Sequence, residues 1–165
     1  KKFQPWDDYF DLAHKWRGHV IDFTISLEQS IEKFITQYFI LAETQDEWDL
    51  KARNFKRLMF WNQQTGLSRK KQIAMDLINS YYPLLLQKYP DIEKELLEII
   101  KCRNDMAHWQ IDYGKHYRWN GAKDKIIKVN KLNEVDFSIY NEQKIEYILN
   151  LCRKYTVTFS IWGTE

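Results

Sequence analysis

Glycine and proline are scarce, five and three in 165 residues. Turn-dense sandwiches and barrels consume both, so long uninterrupted elements are expected instead. The five glycines are scattered singly, which excludes a Gly-rich phosphate loop. Cysteine is scarcer still. Cys102 and Cys152 are too few for a disulfide framework, fit a reducing compartment, and lie too far apart to read as a zinc-ligand pair. No run approaches the ~20 consecutive apolar residues that a membrane helix requires. The opening Lys1-Lys2-Phe3-Gln4-Pro5-Trp6-Asp7-Asp8 has no apolar h-region, so no signal peptide is read there, although the missing initiator Met leaves room for a trimmed one. A cytoplasmic protein with no membrane partner is the expectation. Charge of one sign is lacking too: the net charge of +2 excludes binding of nucleic acid by bulk charge alone.

What is present is a balance of 44% hydrophobic and 29% charged residues, that of a globular chain able to bury a core unaided. The length suits one domain over residues 1–165. Val20, Thr24, Leu27, Ile31, Phe34, Tyr38 and Leu41 recur at steps of three and four, which predicts a first helix from Trp6 to Ala42. Thr44-Gln45-Asp46-Glu47 is a capping-box pattern for a second helix. Ser68 is expected to cap a third, ended or kinked by Pro83. Pro90 suits the first residue of a fourth, which runs to about Trp109 with Ile92, Leu96 and Ile99 inward. Residues 111–139 hold glycines, asparagines and the alternation Ile126-Ile127-Lys128-Val129, a small irregular or β-hairpin insertion. Asn141 caps a last helix with Ile145, Ile148, Leu149, Cys152 and Tyr155 on one side. The fold class is therefore all-α, a bundle of about five helices.

Two places carry chemistry-bearing residues on helices. Asp11 and His14 have the i, i+3 spacing of carboxylate–histidine metal sites, but such sites need a second copy and none is found. No metal and no cofactor is expected. The second place is Arg103-Asn104-Asp105-Met106-Ala107-His108, where an amphipathic helix turns polar before it stops. Asn104 and His108, four apart, share a face. Arg103 stands roughly 140° around the axis from His108, so the two do not meet within one helix unless its end unwinds. Two copies packed across a two-fold axis would bring Arg and His of both chains into one cleft, and Ala107 is small enough to permit close approach.

That hexapeptide resembles the R-x4-H motif of HEPN domains, with the Asn that active members commonly carry after the Arg. Gly66-Leu67-Ser68-Arg69-Lys70-Lys71-Gln72-Ile73 is similar to the helix start of many stand-alone members. The resemblance spans about residues 20 to 110, and the last helix also fits it. It implies a HEPN-like bundle that forms a homodimer through its motifs and, in many members, a metal-independent endoribonuclease of the toxin or defence type, catalytic through Arg103, Asn104 and His108. A histidine can move the proton for attack of the ribose 2′-OH on the adjacent phosphate. An arginine fork stabilises the charge that builds on phosphorus. Members silenced by nucleotidyl-transferase partners often carry a Tyr two residues after the His; here Gln110 stands there. An antitoxin or effector partner protein stays open. The competing reading is a non-catalytic dimerisation, interaction or nucleotide-sensing module, in which His108 merely complements the helix dipole.

RNA is the expected ligand, and local charge supplies a track for it. Residues 50–75 hold seven Lys and Arg and no acid, and residues 115–131 hold six against Asp124 alone. Arg69, Lys70, Lys71, Lys115 and Arg118 are the candidate phosphate contacts, with Tyr113 as a base-stacking candidate. Solvated helix faces and an aromatic edge of the bundle are the plainer alternatives.

Overall fold

The computed structural model describes residues 5–61, 65–108, 110–111, 126–130 and 137–162. Its architecture is a helical bundle with a small sheet before the last helix. Helix α1 spans Pro5–Phe39, α2 Gln45–Lys56, α3 Leu67–Tyr81, α4 Pro83–Lys88, α5 Ile92–His108 and α6 Glu142–Trp162. A π-helical turn, Arg57–Trp61, extends α2. Strands β1 (Gln110–Ile111), β2 (Ile126–Asn130) and β3 (Phe137–Asn141) form an antiparallel sheet in that order, with Ile127 opposite Tyr140.

α1 is the central element and packs against α6, α5 and α3. Its stripe Ala13, Trp16, Val20, Leu27, Ile31, Phe34 and Ile35 is buried, and it meets Ile148, Cys152, Tyr155 and Phe159 of α6. Phe34 sits 5.4 Å centroid to centroid from both Phe159 and Tyr82, tilted as edge-to-face rings prefer. Hydroxyls on the buried side of α1 are satisfied within the helix: Thr36 Oγ1 donates to the Glu32 carbonyl at 2.6 Å, and Thr24 Oγ1 to the Ile21 carbonyl at 2.9 Å.

Helix boundaries differ from the sequence expectation where local bonding decides them. α1 stops at Phe39, three residues before Ala42, and Leu41 is 84% exposed; the apolar step at 41 continues the periodicity but finds no neighbour to bury it. The Thr44 cap is present, its hydroxyl accepting from the Glu47 amide at 3.3 Å. Glu47 closes the box on the Glu43 amide at 3.1 Å, one residue upstream of the usual partner. Ser68 is not a cap. Gly66 holds that position in an extended conformation and makes no side-chain bond, so α3 starts at Leu67. Pro83 does end α3, and a separate six-residue helix starts on it, with Tyr82 as the non-helical joint (φ −127°). Among the described residues the helices of this all-α bundle number six, the short α4 being the addition to the five expected. Pro90 lies in a turn, not at a helix start; α5 begins at Ile92, with the Glu95 amide bonded to the Asp91 carbonyl at 2.9 Å. Asn141 caps α6 as expected, its Oδ1 accepting from the Lys144 amide at 2.8 Å.

Candidate functional site

The end of α5 gathers the candidate residues. Ile92, Leu96, Ile99, Cys102 and Met106 anchor the helix in the core. The opposite stripe, Leu97, Lys101, Asn104 and His108, is exposed. Helical geometry holds through His108, so Arg103 and His108 keep their separation of about 140° around the axis. One chain does not bring them together. Arg103 is half-buried, and its Nη1 donates to Asn104 Oδ1 at 3.2 Å, which joins the guanidinium to the face that carries His108. Ala107 is exposed beside His108 and leaves the end of α5 approachable.

Asp105, inside the same hexapeptide, is the residue whose part the sequence did not disclose. It is 2% exposed, and its carboxylate accepts a hydrogen bond from the Tyr140 hydroxyl of β3. Burial above all raises the pKa of that hydroxyl, with Cys102 and Asp105 acting in the same direction, so Tyr140 remains a donor across the ordinary pH range. The Ser138 side chain also hydrogen-bonds Tyr140. Beside this buried seam, burial together with the Asp105 charge pushes the Cys102 thiol up to about 12. Burial pushes Cys152 up to about 12 as well. Both thiols are therefore held protonated at neutral pH. In the sequence Tyr140 falls between the insertion and the Asn141 cap, and only the structure places it with Ser138 on β3. Nothing in the sequence pointed Tyr140 at Asp105, 35 residues earlier.

The basic candidates divide. Arg69 is exposed in the first turn of α3. Lys70 and Lys71 are 5% and 4% exposed and are spent on internal ion pairs. Lys70 Nζ bridges Glu28 and Glu32 of α1, the latter at 2.6 Å, and lies 5.5 Å from the centroid of the Phe60 ring. Burial alone would lower its pKa, but the two carboxylate hydrogen bonds outweigh that and raise it. Lys71 Nζ pairs with Glu93 of α5 at 3.0 Å. The two lysines thus tie α3 to its neighbours rather than face a phosphate track, a correction that follows from the acidic residues opposite them. Tyr113, Lys115 and Arg118 lie outside the described residues. Asp11 and His14 are exposed, and among the described residues no three His, Cys, Asp or Glu side chains gather as a metal site. Among those residues, too, no helix is long and apolar enough to cross a membrane.

No family model, curated protein or solved structure matches the chain.

Proposed function

We propose that the chain is a metal-independent endoribonuclease of the HEPN type, working as a homodimer with Arg103, Asn104 and His108 at a composite site. The observation that carries this reading is the end of α5: an uninterrupted helix presents Asn104 and His108 to solvent and links Arg103 to them through the Asn104 side chain. In the proposed reaction the ribose 2′-OH attacks the adjacent phosphorus and the bond to the 5′ oxygen breaks. One imidazole takes the hydroxyl proton, and the leaving oxygen is protonated by the imidazole from the second chain. The Arg103 guanidinium stabilises the charge that accumulates on the phosphoryl oxygens. Asn104 fixes that guanidinium. The products are a 2′,3′-cyclic phosphate and a 5′-hydroxyl. Toxin or defence use is the biological setting that fits such an activity, with an antitoxin or effector protein as its control.

The test is incubation of mixed RNAs with the protein in EDTA, followed by end-group analysis. Cleavage that survives chelation and leaves 2′,3′-cyclic phosphate ends supports the reading. RNA left intact by the wild type overturns it.

A second reading, a non-catalytic interaction module, draws on a different surface. The π-helical turn sends Phe60 into the core and leaves Leu58 (55% exposed), Met59 and Trp61 (58% exposed) outside, beyond exposed Leu50 and Arg53 of α2. Exposed apolar patches rimmed by charge are features of protein contact sites, and π-turns are frequent at functional positions.

A further inference from the structure

A cleft of about 440 Å³ opens between α5, β3 and the first turn of α6. Lys101 and Glu98 stand on its α5 side, Ser138 and Ile139 on the strand side, and Lys144 at the start of α6. Lys101, Asn104 and His108 fall within an arc of about 60° on the surface of α5, with Lys101 about 10 Å along the axis from His108. The cleft therefore borders the stripe that ends in the motif.

Its electrostatics suit a phosphodiester strand. Glu98 is neutralised by Lys144 at 2.7 Å. The back wall is Cys102 and Tyr140, both held protonated by burial, and the Asp105 charge behind them is covered by the Tyr140 hydroxyl. Lys101 is exposed and forms no ion pair among the described residues, unlike Lys70, Lys71, Lys144 and Lys154. An uncommitted cation at the rim of a cleft with a neutral floor attracts an anion. Ser138 lies in the cleft wall, and Ile139, 51% exposed, offers an apolar surface against which a base or ribose can lie.

We infer that this cleft is a subsite for single-stranded RNA, in which Lys101 holds a phosphate flanking the one presented to His108 and Ile139 supports the attached nucleoside. The ligand class rests on the ribonuclease reading above; the site itself rests on the cleft and on Lys101.

The probe is a single-stranded 2′-O-methyl oligonucleotide, which lacks the attacking hydroxyl and so reports binding without cleavage. Its affinity is measured by fluorescence anisotropy over a range of salt. Lys101→Ala is expected to weaken binding and to lower the slope of log K against log salt by about 0.7, the loss of one single-strand phosphate contact. Ser138→Asp, which places a carboxylate in the cleft, is expected to weaken binding as well, whereas Lys88→Ala on α4 leaves it unchanged. With a cleavable RNA, Lys101→Ala raises KM and leaves kcat near the wild-type value. Binding that depends on Lys101 and Ser138 in a protein that does not cleave keeps the subsite and sinks the ribonuclease. Cleavage by the wild type with KM and salt slope untouched by Lys101→Ala overturns the subsite and keeps the ribonuclease. Sensitivity to Lys101 without sensitivity to Ser138→Asp places the strand on the helix outside the cleft and overturns the subsite too, as does an oligonucleotide that fails to bind.

Discussion

The Tyr140 hydroxyl donates to the Asp105 carboxylate in a buried seam that fastens β3 to the last turns of α5. Asp105 sits between Asn104 and His108 in sequence, and the chain enters β1 two residues after His108. The hydrogen bond therefore fixes both the end of the motif helix and the sheet that covers it. Tyr140→Phe removes the donor and leaves Asp105 buried without it. A stability loss of about 1–3 kcal/mol is expected, read as a lower urea midpoint with an unchanged far-UV spectrum. Asp105→Asn, which keeps an acceptor oxygen, should cost less.

His108 and Asn104 are exposed, so their removal is a test of chemistry rather than of folding. His108→Ala is expected to abolish RNA cleavage while the melting temperature stays within a degree or two of the wild type, since surface substitutions lie mostly within about 0.5 kcal/mol. Arg103→Ala should cost ~10²–10³ in rate, the effect of losing one transition-state donor, and Asn104→Ala less. Early melting of the His108 variant together with an inert wild type would instead identify a structural helix end.

Lys70 is the residue whose loss should do most harm to folding. Its side chain is 6% exposed and answers two carboxylates that are themselves 23% and 12% exposed. Lys70→Ala leaves the half-buried Glu28 and Glu32 facing each other without their cation, at an expected cost of about 1–3 kcal/mol in chemical denaturation. Glu28→Gln and Glu32→Gln introduced alongside should recover part of it. Lys71→Ala should be milder because its partner Glu93 is half-exposed and can turn to water.

Glu95 supplies a pH dependence with a definite sign. Burial pushes its pKa up, but hydrogen bonds from Lys154 at 2.6 Å and from Tyr155 outweigh that and leave it below the usual carboxylate range. A carboxylate held down in the folded state stabilises fully above its unfolded pKa of about 4.3, and that stabilisation is lost as pH falls through the lowered folded value. Glu95→Gln should therefore lower the melting temperature at pH 7, and the gap to the wild type should close as pH drops below about 4. A gap that is constant from pH 7 to pH 3 would contradict the assignment.

Both thiols should be inert in the native protein. Cys102 and Cys152 are 1% and 0% exposed, with burial holding each thiol up at about 12. Reaction with a disulfide reagent at pH 8 should be slow, and should become rapid for both on addition of denaturant. Fast labelling of either one in native buffer would show that the seam between α5, α6 and the sheet opens readily.

Much of this arrangement is local and was legible one residue at a time. The helical stripes of α1, α5 and α6, the Thr44 and Asn141 caps and the break at Pro83 follow from side-chain periodicity and from hydrogen bonds that span four residues or fewer. The polar end of α5 is local too, and so is the shared face of Asn104 and His108. Which lysines face water is not local. Arg69, Lys70 and Lys71 are neighbours in sequence, yet the first is exposed and the other two are bound to acids contributed by α1 and α5. The cleft beside Lys101 likewise exists only because Tyr140 of β3 meets Asp105 of α5. Sequence by itself determined the long helices and which of their faces are apolar, because those depend on contacts within a few residues. Tertiary structure alone decided which charges are spent on the fold and which remain for a ligand, because a side chain's partner is set by whichever distant element packs against it.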